Sequence, residues 1–371
     1  MIAEASQADL ASGVLTAARA IASRTPNSAY TGILVSAEGG QLRLTATDGE
    51  MRIEHWVEAN IREEGALVLP GRQFPDILRR ARSAIVRIET DTAASTATLS
   101  WERSETVLHG RPAADFPIED AAAAGAPVEL DALTLGALLR QTSFAASDEE
   151  SRPVLTGVLF LLADGAATAV ATDGFRLAFA SAPCPALGGA AVRVVIPRRA
   201  LAEVTRLLDD APGGQASLAI GERRAVFQVG ATVLRTSLIE GQFPNYEQVL
   251  PPSYSTRVEV ARDELHAACD LAATISRDGQ GAVTLSIAPG VVAVSARSPE
   301  VGHVRQEVVA DVSGGALDVA FNPRYLMDGL RASESNRVVL ETTGPLSPAR
   351  ITAAGGGSFF YILLPLRPAS S

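Results

Sequence analysis

The sequence contains no lysine, so all 32 basic residues in its 371 positions are arginine. Aromatic residues make up only 5% of the chain and there are two cysteines. No apolar run reaches the roughly 18 residues that a helix needs to cross a bilayer. The first ten residues also lack the basic segment of a secretory signal. These absences argue against a disulfide-stabilised or membrane-embedded chain, and we expect a cytoplasmic protein.

The composition that remains is that of a globular protein with an acidic balance. Hydrophobic residues account for 47% of the chain, charged residues for 20%, and the net charge is −10. Taken alone, this charge disfavours a nucleic-acid partner. It does not decide the question, because an acidic outer surface can coexist with an inner face lined by arginines, whose planar guanidinium suits phosphate.

No motif for catalysis or metal binding is present. The sequence lacks HExxH, GxSxG, the phosphate-binding GxxxxGK[ST] loop, and a GxGxxG after a strand. Cys184 and Cys269 have no cysteine or histidine at metal-ligand spacing and are predicted to be buried, reduced thiols. We therefore expect no enzyme activity, no cofactor and no metal. A hydrolase that uses Asp173 as its nucleophile is the alternative from another class, but no base or metal ligands accompany that residue.

One pattern of residues recurs along the chain. A Thr-Gly dipeptide opens an apolar segment, a glycine turn follows, and a second segment ends in Thr-Asp-Gly. Gly32 and Gly157 are 125 residues apart, as are Asp48 and Asp173. A third copy begins at Gly281 but lacks Thr-Asp-Gly. Alternating apolar residues broken by short glycine turns predict a β-hairpin in each copy. The two Asp-Gly pairs favour a structural turn.

A second pattern recurs in the same register. It consists of a strand, a proline or Asn-Pro, and a short amphipathic helix. The spacing is 127 residues from Pro70 to Pro197 and 125 from Pro197 to Asn322. Another helix is predicted near the start of each copy. The sequence thus predicts three tandem α+β domains at 1–126, 127–252 and 253–371, each with two helices and about seven or eight strands.

Arginines recur on the predicted helices and in the loops beside them. Their shared placement favours a surface that contacts a phosphate backbone without reading its sequence. Because no aromatic residues are interleaved with them, a duplex is favoured over a single strand. The candidate DNA-binding residues are Arg24, Arg79, Arg80, Arg152, Arg198 and Arg199.

Five segments resemble the bacterial sliding clamp family, the β subunit of DNA polymerase III. They are residues 171–178, 241–246, 321–325, 344–348 and 361–367, in family order. The resemblance implies a ring-shaped, head-to-tail homodimer of DNA-clamp domains, with helices lining a central channel and antiparallel sheets outside. Such a ring is a non-catalytic processivity factor that encircles double-stranded DNA. It tethers the replicative polymerase and repair proteins.

The resemblance also implies a groove that binds short peptides. The expected partners are the DNA polymerase III alpha subunit, the clamp loader and other proteins with a clamp-binding motif. The matching positions are Leu155, Thr172, Gly174, Phe175, Arg176, Leu177, Pro244, Val249, Asn322, Tyr325, Leu346, Pro348, Ile362, Leu364, Pro365, Leu366 and Arg367.

Ring closure is implied at a dimer interface between the first domain of one subunit and the third domain of the other. The matching positions are Thr106 and Leu108 on the first side, and Thr274 and Ile275 on the second. Thr106 is smaller and more polar than the aromatic residue often found at its position. A specialised or antibiotic-resistance paralogue of the clamp, with altered partners, remains open as an alternative.

Overall fold

The computed structural model describes residues 1–22, 25, 28–117, 125–184, 191–211, 213–276 and 281–367. Among the predicted site residues, Arg24 lies outside these ranges. The described residues form helices α1 to α6 and strands β1 to β25, joined by short 3₁₀ turns.

The first repeat contains the helices α1 (Gln7–Ala18) and α2 (Gln73–Arg80). Its strands are β1 (Ile2–Ser6), β2 (Gly32–Glu38), β3 (Gln41–Thr47), β4 (Met51–Glu63), β5 (Gly65–Pro70), β6 (Ile85–Asp91), β7 (Thr96–Trp101), β8 (Ser104–His109) and β9 (Arg111–Pro112).

The second repeat contains α3 (Ala132–Thr142) and α4 (Arg198–Asp210). Its strands are β10 (Val128–Asp131), β11 (Gly157–Ala163), β12 (Ala166–Thr172), β13 (Arg176–Pro183), β14 (Val192–Pro197), β15 (Gln215–Ile220), β16 (Arg224–Val229) and β17 (Thr232–Ser237).

The third repeat contains α5 (Arg262–Ile275) and α6 (Pro323–Ala332). Its strands are β18 (Thr256–Ala261), β19 (Val283–Ala288), β20 (Val291–Ser298), β21 (Gly302–Ser313), β22 (Leu317–Phe321), β23 (Arg337–Thr342), β24 (Ala349–Ala353) and β25 (Phe360–Leu363). The expected two helices per repeat are confirmed, and among the described residues the only strand beyond the expected number is the two-residue β9 of the first repeat.

The strands form two antiparallel sheets, and each sheet lies within one compact unit. The first unit comprises Met1–Leu133 and Ala202–Leu238, and its sheet runs β10-β15-β16-β17-β4-β1-β6-β7-β8, with β2, β3, β5 and β9 attached. The second unit comprises Thr134–Leu201 and Ile239–Ser371, and its sheet runs β14-β11-β12-β13-β25-β24-β23-β18-β21-β20-β19-β22.

Hydrogen bonding therefore joins strands of successive repeats. We call the pairing of β4 with β17 seam one, and the pairing of β13 with β25 seam two. The sequence period marks three repeated units, but strand edges that would otherwise be exposed pair across the borders between them. The domain boundaries at 1–126, 127–252 and 253–371 stay predictions.

Helices cover the apolar face of the sheet in the first and third repeats. In the first repeat, α1 approaches the sheet so closely that a β-carbon added to Gly13 would lie 2.8 Å from Val57 and 3.0 Å from Leu44. In the third repeat, Leu265, Ala268 and Cys269 form the buried face of α5. A helix needs such an apolar face to be stable, because propensity alone does not hold a short helix in water.

Both cysteines are buried and unpaired, as predicted. Burial raises the pKa of the Cys269 thiol to about 12, so this thiol stays protonated at neutral pH. Within the described ranges, no helix is long and apolar enough to cross a membrane. In the same part of the chain, no group of three or more histidine, cysteine or acidic side chains could hold a metal ion.

The two Thr-Asp-Gly sequences form the same turn. Asp48 Oδ1 accepts the backbone N–H groups of Glu50 and Met51 at 2.9 and 2.8 Å. Asp173 Oδ1 accepts those of Phe175 and Arg176 at 2.9 and 3.0 Å. The glycines have φ angles of +96° and +92°. Both carboxylates thus hold a turn that only glycine adopts without strain, which confirms the structural interpretation.

Replacing Gly49 by alanine tests this turn. We expect Gly49→Ala to lower the free energy of unfolding by about 1–2 kcal/mol, because its φ angle of +96° is strained for any residue with a β-carbon. Gly214→Ala is the control in the same unit. It has no such φ angle and its added β-carbon would meet only Ala211 O, at 3.5 Å. Urea denaturation of the two variants provides the comparison, and equal losses would contradict this account of the turn.

Candidate functional site: an apolar cleft at seam two

A cleft of about 230 Å³ lies beside the end of β13 in the second unit. Its walls come from the turn between β12 and β13, from the segment before β18, and from the end of β25. It brings together many of the predicted groove residues. Those that line it are Leu155, Thr172, Gly174, Phe175, Arg176, Leu177, Pro244, Val249, Ile362 and Leu364.

The floor of the cleft is part of a tightly packed core. Leu177 and Ile362 face each other across seam two, and both belong to a buried cluster that includes Leu159 and Phe243. Phe179 and Phe360 pack against this cluster with their rings stacked 4.5 Å apart. A floor built from core side chains does not rearrange easily, so the cleft exists before any ligand arrives.

The rim of the cleft is apolar but open to solvent. Phe175, Val249 and Leu364 are all large hydrophobic side chains in exposed positions. Isolated exposed hydrophobic residues are common, but three around one cleft over a rigid floor are typical of a site that takes apolar anchors from a partner.

Seven predicted groove residues do not line the cleft: Asn322, Tyr325, Leu346, Pro348, Pro365, Leu366 and Arg367. Two of them have clear supporting roles. Asn322 Oδ1 caps α6 by accepting the backbone N–H groups of Arg324 and Tyr325, at 2.9 and 3.3 Å. The Leu366 N–H donates to Ala320 O at 2.7 Å and holds the chain against β22. The assignment of these seven residues to the groove stays a prediction.

Three residues line the cleft that were not predicted to do so: Arg152, Asn245 and Tyr246. Asn245 accepts the N–H of Glu247 at 3.2 Å and so begins the 3₁₀ turn that carries Tyr246 and Val249. Pro244, which was predicted to line the groove, directly precedes Asn245 and Tyr246 and could have indicated these two residues. Arg152 was predicted to contact DNA. Its guanidinium bonds Glu149 at 2.7 Å and approaches Asp173 O at 3.4 Å.

Arg176 is the buried cation of the cleft. Its Nε donates to Asp173 at 3.0 Å, its Nη1 to Asp328 at 2.6 Å, and its Nη2 to Phe144 O at 2.8 Å. The guanidinium also lies over the Tyr325 ring, 4.2 Å from the centroid. A desolvated guanidinium needs these partners, because a buried charge without them is strongly destabilising.

The Arg176 site is completed by Tyr361, whose side chain is fully buried. Burial raises the pKa of Tyr361, so its hydroxyl stays protonated and donates to Tyr325 O at 2.9 Å. A β-carbon added to Gly329 of α6 would lie 2.3 Å from the Tyr361 ring. Glycine at this position therefore allows α6 to pack directly against β25, beneath the cleft.

Comparison with known proteins covers the whole length of the chain. The family models for the N-terminal, central and C-terminal domains of the DNA polymerase III beta subunit match residues 3–120, 129–245 and 247–367. The chain belongs to this family of sliding clamps. The clamp is therefore built from three tandem clamp domains of helices and antiparallel sheets, and it is a non-catalytic DNA processivity factor.

Individual relatives agree with this assignment. The clamp is 32% identical over 359 residues to the beta sliding clamp of Staphylococcus aureus, with 94% of each chain covered. The solved sliding clamp of Bacillus subtilis superposes with a TM-score of 0.95 at 27% identity and covers all of both chains. The clamp from Bartonella birtlesii, solved bound to griselimycin, gives 0.94 at 28% identity over 99% of each chain. The comparisons support the sliding clamp and give no support to the specialised paralogue.

Four of the residues predicted to bind DNA lie on α2 and α4. Arg79 and Arg80 end α2, whereas Arg198 and Arg199 begin α4. Arg79 and Arg80 both pair with Asp76, and Arg198 pairs with Asp148.

The predicted dimer residues lie on β8 and at the end of α5. Leu108 is buried in its own unit and Thr106 is half-buried, whereas Val107 between them is exposed. Thr274 is exposed, Ile275 is half-buried, and Leu271, one turn earlier on α5, is an exposed apolar residue. Val107 and Leu271 were not among the predicted contacts; Val107 points to the opposite face of β8 from its two neighbours, whereas Leu271 shares a face of α5 with Thr274 and Ile275.

Removal of the Arg176 charge tests its structural role. We expect Arg176→Met to lower the free energy of unfolding by about 3 kcal/mol, because Asp173 and Asp328 would both lose the buried cation that they share. Arg305→Met is the control, since it removes an exposed pair with Glu307 of 2.9 Å in the same unit. It should cost less than about 1 kcal/mol. Urea denaturation measures both, and a small loss for Arg176→Met would contradict the proposed network.

Proposed function

We propose that two copies of the clamp close head to tail into a ring around duplex DNA, and that the cleft at seam two tethers partner proteins to the ring. The preformed apolar cleft carries this proposal, because its shape and apolar lining suit a bound segment and it belongs to a chain that matches the clamp family in all three domains. The expected partners are the DNA polymerase III alpha subunit, the clamp loader and other proteins with a clamp-binding motif.

The cleft suits a short peptide better than a folded surface. Its volume of about 230 Å³ accommodates one or two apolar side chains, and its exposed rim offers further contact. A few buried anchors usually supply most of the binding energy of such peptides. Several partners could then exchange at one site, since each needs only a short segment to bind.

Ring closure is supported by the strand order of the first unit. Strand β8 ends the path of its sheet, so its outer edge has no strand partner in the described part of that unit. Its exposed Val107 lies beside the predicted contacts Thr106 and Leu108. An open edge with apolar side chains favours pairing with another subunit, and the exposed Leu271 and half-buried Ile275 of α5 offer apolar side chains beside the predicted contact Thr274.

The cytoplasmic location that the sequence suggests fits this proposal, since chromosomal DNA in bacteria lies in the cytoplasm. The arginines that face the DNA would contact phosphates and not bases. Such contacts hold the duplex without a preferred sequence, which a sliding protein requires.

The peptide site is tested by Leu364→Ala. We expect a labelled peptide with the clamp-binding segment of the polymerase alpha subunit to bind about tenfold more weakly, because the variant removes an apolar wall of the cleft. Val309→Ala is the control, since Val309 is 80% exposed on β21 and does not line the cleft. Fluorescence anisotropy measures both affinities. Unchanged binding by a folded Leu364→Ala variant would contradict the assignment of the cleft as the peptide-binding site.

The ring is tested by retention on DNA. Clamp loaded on nicked circular duplex should stay bound during gel filtration and should be lost when the circle is cut once, because a ring can leave only over an end. A protein that bound the DNA surface would be lost equally from both forms, and this result would contradict encirclement.

A further inference from the structure

An acidic residue and an arginine three positions later recur in the internal helix of all three repeats. The pairs are Asp76 with Arg79 in α2, Glu203 with Arg206 in α4, and Asp328 with Arg331 in α6. Their spacing along the chain is 127 and then 125 residues, the same as for the prolines and asparagine that precede these helices. The residues between acid and arginine differ in each helix, namely Ile-Leu, Val-Thr and Gly-Leu. The pair is therefore repeated although the two residues between its members are not.

The three arginine side chains are exposed to nearly the same extent, although the carboxylates beside them are 57%, 11% and 20% exposed. The arginine side chains are 62%, 60% and 61% exposed, in chain order. The carboxylates lie 2.9, 2.7 and 4.0 Å from the guanidinium groups. The third pair is the longest because Asp328 also binds Arg176, at 2.6 Å. Each helix thus presents an open arginine that already has an anionic partner.

Stability does not account for the open position of these arginines. Asp76 and Arg79 are both exposed, and such a pair contributes little to the free energy of unfolding, since water and salt screen it and the side chains lose freedom. Glu203 and Asp328 are only 11% and 20% exposed, but their arginines lie in water. The effect of the three carboxylates on an arriving anion is larger. A phosphate can engage the arginine fully only by competing with the carboxylate, so each contact replaces one anionic partner by another.

We propose that these carboxylates weaken the binding of the helix arginines to the DNA backbone, so that the ring diffuses along the duplex instead of remaining bound at one position. This inference rests on the proposed function, in which the helices face the duplex. Asp76, Glu203 and Asp328 are then positioning residues that act on DNA through Arg79, Arg206 and Arg331.

Two further arginines predicted to contact DNA are also paired with carboxylates, one before β11 and one at the first position of α4. Arg152 is paired with Glu149 at 2.7 Å, and Arg198 is paired with Asp148. Arg80 shares Asp76 with Arg79 and also donates to Asp76 O at 2.8 Å. Exchange between carboxylate and phosphate would therefore apply to most of the predicted contacts. The net charge of −10 is consistent with a low affinity for the DNA backbone.

Asp76→Asn is the sharpest test, because it removes the carboxylate that Arg79 and Arg80 share and leaves the cleft and the Arg176 network untouched. The clamp would be loaded on a long duplex with blocked ends, and its diffusion along the DNA followed by single-molecule fluorescence. We expect the variant to diffuse roughly fivefold more slowly than the wild type at about 50 mM salt, because each exposed pair that is lost no longer competes with a phosphate. The difference should shrink by about 200 mM salt.

Glu89→Gln is the matched control. Glu89 pairs with Arg87 on β6 at the same distance of 2.9 Å, its side chain is 53% exposed against 57% for Asp76, and the change in net charge is identical. This control should diffuse like the wild type. Adding Arg79→Gln and Arg80→Gln to Asp76→Asn should restore fast sliding, which a purely structural role of Asp76 would not produce.

The outcomes separate this inference from the function on which it rests. If the wild-type clamp leaves closed circles as readily as cut ones, the proposed ring fails and the inference fails with it. If the wild type is retained but Asp76→Asn diffuses at the wild-type rate at low salt, only the inference is overturned. Equal slowing of Asp76→Asn and Glu89→Gln would also overturn it, because net charge alone would then explain the effect.

Discussion

Arg176 is a cation removed from water, and its need for partners determines how the site is built. Its guanidinium binds Asp173 in the turn between β12 and β13 and Asp328 on α6. It also binds Phe144 O in the 3₁₀ turn that follows α3. Asp328 is 152 residues away in sequence, so this one side chain fixes the second repeat to the third. The cleft lies directly over that connection. Its shape therefore depends on a buried charge network as much as on apolar packing.

The same backbone arrangement occurs at both seams. At seam two, the Leu364 N–H donates to Phe175 O at 2.9 Å, and at seam one the Ser237 N–H donates to Glu50 O at the same distance. Phe175 and Glu50 are 125 residues apart and follow the same Thr-Asp-Gly turn. Duplicated sequence thus produced a duplicated turn and register. The backbone alone does not explain why the cleft occurs at seam two.

Side chains account for the difference between the seams. The apolar residues of the cleft correspond by register to polar or charged residues at seam one: Phe175 to Glu50, Leu177 to Arg52, Ile362 to Arg235 and Leu364 to Ser237. At seam one, Glu54 is buried between Arg52 and Arg235. These ion pairs occupy the position where a ligand would need apolar walls. Specialisation of the repeats thus replaced ion pairs by an open apolar surface, or the reverse, on a common scaffold.

Local signals predicted the features that depend on neighbouring residues. The period of about 125 residues, the Asp-Gly turns and the strand–proline–helix segments all follow from residues close together in sequence. Resemblance to the clamp family added many of the cleft residues. The pairing of Arg176 with Asp328 could not be predicted in this way, because it depends on how α6 packs against β25. The strand pairings at the two seams could not be predicted either, because the sequence pattern of an edge strand indicates which face is buried but not which strand it pairs with. A repeat therefore reveals its own fold more readily than its contacts with the next repeat, and the cleft forms at one of those contacts.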